Sequence, residues 1–272
     1  MSNSVLEVEI SRDITYRTID GLSLQADVYR PLGRDPIASV LYLHGGGWVE
    51  GGRIDYEQTR AIKLAERGFL VASVQYRFAQ DAPFPAQLDD IRAAVAWLRG
   101  KRAEFGVVSE KVGAWGSSAG GHLAALLALG NPGTGERPDV DAAVTWFAPL
   151  DVGFMTGGTE MEQEMFGPNP VNLLVGGEFD LADPSHQALD PLALVSAAAA
   201  PMLLVTGDRD RVIDASVSER MFRALSRARA QVQLYVVAGA GHEDAALETA
   251  ASLGLVAGFF EAELGTNAPL TR

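Results

Sequence analysis

Residues 113–122, GAWGSSAGGH, set two serines among glycines directly after an apolar run and before HLAALLALG (122–130). Gly116-Ser117-Ser118-Ala119-Gly120 matches G-x-S-x-G with Ser118 at its centre. A strand that turns sharply into a helix forces the central residue into a strained conformation and exposes its hydroxyl above the sheet. Glycines on either side keep neighbouring backbone clear. The apolar VGAW before the motif and the helical pattern after it supply that context. The ordinary alternative is a tight turn beside which a small residue packs, and Ser117 fits that description. Which reading holds depends on the rest of the chain.

Six short apolar runs recur: ASVLYLHG (38–45), FLVASVQYR (69–77), KVGAWGSS (111–118), AAVTWFAPL (142–150), PMLLVTGD (201–208) and VQLYVVAG (232–239). Longer stretches with helical periodicity separate them. Near-continuous apolar strands between helices indicate a mostly parallel sheet covered on both faces. Before them, VLEVEISRDITYRT (5–18) and LSLQADVYRP (22–31) alternate apolar and polar residues around Asp20-Gly21, which predicts an antiparallel pair joined by a tight turn.

The spacing of Leu88, Ile91, Val95 and Leu98 predicts a helix over 86–103, with Asp89 and Asp90 in its first turn and Arg99, Lys101 and Arg102 in its last. A further helix is expected to open at Ser216, with Glu219 completing a capping box. One stretch, 151–183, is rich in Gly and Pro and lacks periodicity, which marks a lid-like excursion inside one domain spanning 1–272.

The chain has 272 residues, 47% of them hydrophobic, enough for a sizeable core. A net charge of −13 disfavours nucleic acid and anionic membrane surfaces as partners. The absence of cysteine removes disulfides and thiolate metal sites and suits a cytoplasmic protein. The first ten residues lack the pattern of a secretory signal. The longest apolar stretch, 192–207, is interrupted by Pro201 and is too short to cross a bilayer. The sequence leaves room for a homodimer.

A serine hydroxyl needs a base, and the base needs a carboxylate to fix its tautomer. Of four histidines, His44 ends a strand, His122 opens the helix after Ser118 and His186 reads as a surface residue near a helix start. His242, in AGAGHE (238–243), follows the last strand on a glycine-rich loop. The order nucleophile, acid, histidine then places the acid between Ser118 and His242. Asp208, Asp210 and Asp214 follow one apolar run, and their spacing does not choose among them.

HGGGW (44–48) follows a strand where inward-turned amides would form an oxyanion hole, with the amide of Ala119 as partner. No G-K-[ST] or G-x-G-x-x-G pattern supports a phosphate loop instead. Two motifs fitting one mechanism, in the right order, make Ser118 the expected nucleophile. Trp48 and the soft apolar residues of the excursion, Phe154, Met155, Met161, Met165 and Phe166, are the expected substrate-binding surface.

HGGGW, YRFAQDAPFPAQLDDIRAAVAWLR (76–99), GAWGSSAGGHLAALLA (113–128), GDRDRVI (207–213) and GAGH (239–242) together resemble the α/β-hydrolase esterases of the hormone-sensitive-lipase-like and feruloyl- and acetyl-xylan-esterase-like groups. The resemblance runs over about residues 20–262. It implies the α/β-hydrolase fold and hydrolysis of a small-molecule ester through an acyl-enzyme, without metal or organic cofactor. It also implies Asp210 as the acid, His242 as the base, and Gly46, Gly47 and Ala119 as the oxyanion hole.

Two features depart from the pattern. The chain enters its first strand at about Val5, without the amino-terminal helical cap usual in hormone-sensitive-lipase-like enzymes. Gly47 stands where related kynurenine formamidases usually carry a bulky aromatic. An amidase or formamidase using the same triad, and a non-catalytic binding protein on the same fold, are the competing readings.

Overall fold

The computed structural model of the protein describes residues 5–155 and 169–265. Eight strands form one sheet: β1 (Val8–Ile19), β2 (Leu22–Pro31), β3 (Ser39–Leu43), β4 (Leu70–Val74), β5 (Val112–Ser117), β6 (Ala142–Trp146), β7 (Met202–Gly207) and β8 (Val232–Val237). Their spatial order is β1-β2-β4-β3-β5-β6-β7-β8. β1 and β2 are antiparallel and join through Asp20 and Gly21, both at positive φ, as the alternation predicts. β2 also runs antiparallel to β4, and β4 through β8 are mutually parallel. All six apolar runs are parallel strands.

The helices are α1 (Ala61–Ala65), α2 (Ala86–Gly100), α3 (Ala119–Leu129), α4 (Val152–Met155), α5 (Pro170–Val175), α6 (Pro184–Gln187), α7 (Ala215–Arg227) and α8 (Ala250–Leu264). Alternate residues of the central strands, β3 to β7, enter opposite cores. Leu41 and Leu43 pack with Ile91 and Leu98 of α2, Leu123 and Leu127 of α3, and Met221 of α7. Val40 and Tyr42 pack with Leu64 of α1 and with Val256 and Phe260 of α8. Both faces of these central strands are covered, so they have no polar face and read as continuous apolar runs.

Two local expectations are corrected. Of the two carboxylates expected in the first turn of α2 only Asp89 falls there; Asp90 lies beyond it and is buried. It accepts from Arg17 Nη1 at 2.6 Å and from Arg77 Nε at 2.8 Å and Nη2 at 3.0 Å. It therefore fastens α2 to β1 and to the chain after β4. The helix after β7 opens one residue before Ser216: Asp214 is its cap and accepts from the Ser216 amide at 2.9 Å. Glu219 pairs with Arg223 at 3.3 Å instead of closing a box.

The described part of the excursion is fixed to the body. Asn169 caps α5 by accepting from the Val171 amide at 2.9 Å, Val171 and Leu174 are buried, and Gly176 ends the helix in the left-handed region. The Leu174 carbonyl accepts from the Phe84 amide at 2.7 Å. Met161, Met165 and Phe166 lie outside the described residues; of Phe154 and Met155 only the backbone, in α4, is described. Among the described residues no helix is long and apolar enough to cross a membrane.

Candidate active site

The strand order reverses at β3. The chain leaves β3 for β4 on one side, then returns through α2 to β5 on the other, and ligands of open α/β sheets sit beyond the carboxyl ends of such a switch point. Leu43 pairs with Gly116 across β3 and β5, so the H-G-G-G loop and the Ser118 turn leave the sheet at one level. Gly207 pairs with Val237 across β7 and β8, which brings the loops carrying Asp210 and His242 out side by side.

Ser118 has φ 50° and ψ −122°, a conformation strained for a residue with a side chain. Its amide donates to the Trp146 carbonyl at 2.9 Å, and its carbonyl accepts from the His122 amide at 3.0 Å. Glycine is required at both flanks: a Cβ on Gly116 would strike the Gly120 carbonyl, and one on Gly120 the carbonyls of Leu43 and His44. The turn is thus packed backbone to backbone, with no room for either glycine to change.

His242 Nε2 lies 3.1 Å from Ser118 Oγ, and its Nδ1 lies 2.8 Å from Asp210 Oδ2. The other carboxylate oxygen of Asp210 accepts from the amides of Val212 at 2.8 Å and Ile213 at 2.9 Å. The two remaining carboxylates of that stretch are engaged elsewhere. Asp208 accepts from the Gly239 amide at 2.6 Å, and Asp214 caps α7. Only Asp210 of the three faces His242, a choice that spacing left open.

Gly46 and Gly47 have φ of +103° and +58°, and Gly46 O accepts from the amides of both Val49 and Glu50 at 3.0 Å. The amides of Gly46, Gly47 and Ala119 donate to no acceptor among the described residues. Ala119 is also the first residue of α3, where a helix leaves amides unpaired and its dipole favours negative charge.

Trp48, expected beside the substrate, is corrected to an interior residue. With φ +63° it turns its ring inward, where it is 2% exposed and lies edge-on to His122 with centroids 5.1 Å apart. Pro170 of α5 instead approaches the H-G-G-G loop, at 3.9 Å from where a Cβ on Gly47 would stand. A cavity of about 410 Å³ opens beside this loop, lined by Gly45, Gly46, Glu50, Gly51, Asp55, Tyr56 and Glu243. A larger one of about 680 Å³, between α1 and α8, contains none of Ser118, Asp210 and His242. Sequence reasoning missed Glu243, Tyr56 and Arg60, which border the site and carry no motif signal.

The other histidines are spoken for. His44 stacks on Tyr76 at 4.5 Å and its Nδ1 contacts the Gly45 carbonyl at 2.8 Å. His122 donates from Nε2 to the Leu189 carbonyl at 2.7 Å, and burial pushes its pKa down to about 4. Burial lowers His44 as well. His186 lies away from the turn, accepting from the Asp180 amide at 3.0 Å.

Buried His122 has a consequence for stability. An unfolded histidine binds a proton below about 6.5, whereas folded His122 stays neutral to about 4, so stability falls as pH drops through that window. The contribution is on the order of 3 kcal/mol. Urea midpoints at pH 7 and pH 4.5 should show a smaller acid loss for His122→Gln than for the wild type. Equal losses would remove His122 as a cause.

The BD-FAE family model matches residues 26–225. The chain is similar to Esterase LipC of Mycobacterium tuberculosis, 30% identical over 79% of this chain and 56% of the relative. It is also similar to an ethyl acetate hydrolase of Pseudomonas putida, 29% identical over 87% of this chain and 76% of that one. With LipC at 56% and Carboxylesterase NlhH of M. tuberculosis at 37%, the chain spans about half or less of the length of several relatives it matches. Among solved structures, a truncated carbohydrate esterase from gut microbiota superposes with TM-score 0.80 at 22% identity, covering 95% of this chain and 97% of that one. The butyrate-bound esterase Est2 of Thermogutta terrifontis gives 0.74 at 21%, covering 98% of each. At these identities the likeness is one of fold, and it is the α/β-hydrolase fold read from the motifs. The chain belongs to the BD-FAE family.

Proposed function

We propose that the protein is a carboxylesterase that hydrolyses esters of small to medium acyl chains through Ser118, His242 and Asp210. One observation carries the reading: His242 bridges Ser118 Oγ at 3.1 Å and Asp210 Oδ2 at 2.8 Å through its two ring nitrogens. His242 takes the Ser118 proton as the oxygen attacks the ester carbonyl, and the tetrahedral oxyanion is held by the amides of Gly46, Gly47 and Ala119. The imidazolium returns its proton to the leaving alcohol. Water, activated by the same histidine, then releases the acid from the acyl-enzyme. Asp210 holds the Nδ1–H tautomer and steadies the imidazolium, while two backbone amides hold its own carboxylate in place.

The relatives support an ester substrate: the P. putida enzyme is an ethyl acetate hydrolase, and the T. terrifontis esterase was solved with butyrate. The acyl wall is assigned to the excursion, whose residue Pro170 borders the H-G-G-G loop. Each methylene buried there contributes about 0.8 kcal/mol, or roughly fourfold in kcat/KM. Across p-nitrophenyl esters from acetate to decanoate, kcat/KM is expected to rise over the first few carbons and then fall. N-formylkynurenine and a simple anilide, run beside them, are expected to be slower. Faster turnover of either would make the protein an amidase or formamidase.

A further inference from the structure

Among the described residues, Arg60 is the only lysine or arginine that is fully buried. Burying a guanidinium is costly unless its donors are met, and the partners of Arg60 are specific. Nε donates to Glu248 at 2.7 Å. Nη1 donates to Tyr42 Oη at 3.0 Å and to Ser117 Oγ at 2.9 Å. Nη2 has no hydrogen-bond acceptor among the described residues. The group instead lies 3.9 Å from the Tyr56 ring centre, 5.2 Å from that of Trp146 and 5.9 Å from that of Phe147.

These partners flank the reacting groups. Ser117 precedes Ser118. Tyr56, whose ring centre lies 3.9 Å from the Arg60 guanidinium, donates its hydroxyl to Glu243 at 2.5 Å, and Glu243 follows His242. Phe147, also against Arg60, sets its ring edgewise on His242 with centroids 4.7 Å apart. One cation therefore touches, directly or through one side chain, the neighbours of both the nucleophile and the base.

Resting on the assignment of Ser118 and His242 above, we propose that Arg60 is a positioning residue: its guanidinium ties Ser117 to the Tyr56–Glu243 pair and so fixes the Ser118-to-His242 separation. The placement of Ser117 supports this, since a residue wanted only for packing at that buried position needs no hydroxyl. A positioning role acts on the chemical step. A displacement of about 1 Å between reacting groups costs up to about 100-fold in rate.

The test uses three variants that leave the reacting groups in place. Tyr56→Phe removes only the hydroxyl that reaches Glu243, at a residue 41% exposed. Ser117→Ala removes one of the two acceptors of Nη1 and leaves Tyr42 Oη in place. Arg60→Lys keeps the charge but loses the fork that spans both sides. Each is assayed with p-nitrophenyl butyrate, kcat being expressed per serine titrated by an organophosphonate, with thermal midpoints alongside and Ser118→Ala as reference.

Expected losses in kcat are roughly threefold for Tyr56→Phe, fivefold for Ser117→Ala and tenfold or more for Arg60→Lys, with KM within about twofold. The Tyr56→Phe/Ser117→Ala double variant should lose less than the product of the single losses, because both changes break the same Ser117–Arg60–Tyr56–Glu243 linkage. If Arg60→Lys does not fold, the two hydroxyl variants still decide. Unchanged kcat per titrated serine in both, with Ser118→Ala inactive, would overturn the positioning role and leave the triad standing. Activity retained in Ser118→Ala would instead overturn the triad.

Discussion

Ser118→Ala is expected to lower kcat/KM for a small p-nitrophenyl ester by about 10⁴-fold or more, with the fold and the thermal midpoint preserved. The alanine methyl fits where the serine Cβ already stands, so the strained turn at φ 50° and its backbone hydrogen bonds to Trp146 and His122 persist. What disappears is the oxygen 3.1 Å from His242 Nε2. Residual hydrolysis would come from the oxyanion donors and from binding alone. Ser117→Ala forms the contrast. Its hydroxyl is buried and held by Arg60, not by His242, so the loss should stay within about tenfold. Steady-state kinetics on the two variants, with circular dichroism to verify folding, separate the adjacent serines. Comparable losses in both would mean that the turn, and not one nucleophile, sets the rate.

Asp210→Asn is expected to cost about 10⁴-fold in kcat while leaving KM near its original value. An asparagine can keep the two backbone hydrogen bonds from Val212 and Ile213 through its carbonyl oxygen. Its amide nitrogen then faces His242 Nδ1 as a donor. The imidazole adopts the tautomer with the proton on Nε2, where it cannot accept the serine proton. Asp208→Asn and Asp214→Asn change groups that hold the Gly239 amide and cap α7, so stability should suffer by about 1 kcal/mol and catalysis by a few-fold at most. Equal loss of kcat in all three would undo the assignment of the acid.

How far these residues could be read from the sequence depended on where their constraints lie. The Ser118 turn was legible because its requirements are local: Gly116 and Gly120 are demanded by backbone that a Cβ would strike, and only glycine satisfies that demand. The parallel sheet was legible because covering both faces leaves an apolar signature in each of its central strands. Spacing did not resolve the acid among Asp208, Asp210 and Asp214, and only the family resemblance pointed to Asp210, since the three differ in what they face, which is set by the β8 loop some thirty residues on.

Other residues failed for the same kind of reason. Arg60, in DYEQTRAIK (55–63), carries no motif, and only the packing of Tyr42, Ser117 and Glu248 around it makes it interior. Ser216 and Glu219 have capping-box spacing, but Asp214 reaches the amide first. Trp48 looked like a pocket wall because its motif lies at the site, yet its left-handed backbone sends the ring under His122.

The measurement closest to the central claim is mass spectrometry of the protein after stoichiometric inactivation by an organophosphonate, with the modified peptide fragmented. The account predicts one adduct per chain, on Ser118, formed in the wild type and in Ser117→Ala, absent in Ser118→Ala, and slowed strongly in Asp210→Asn. An adduct on Ser117, or inactivation without any adduct in the 113–122 peptide, would contradict it.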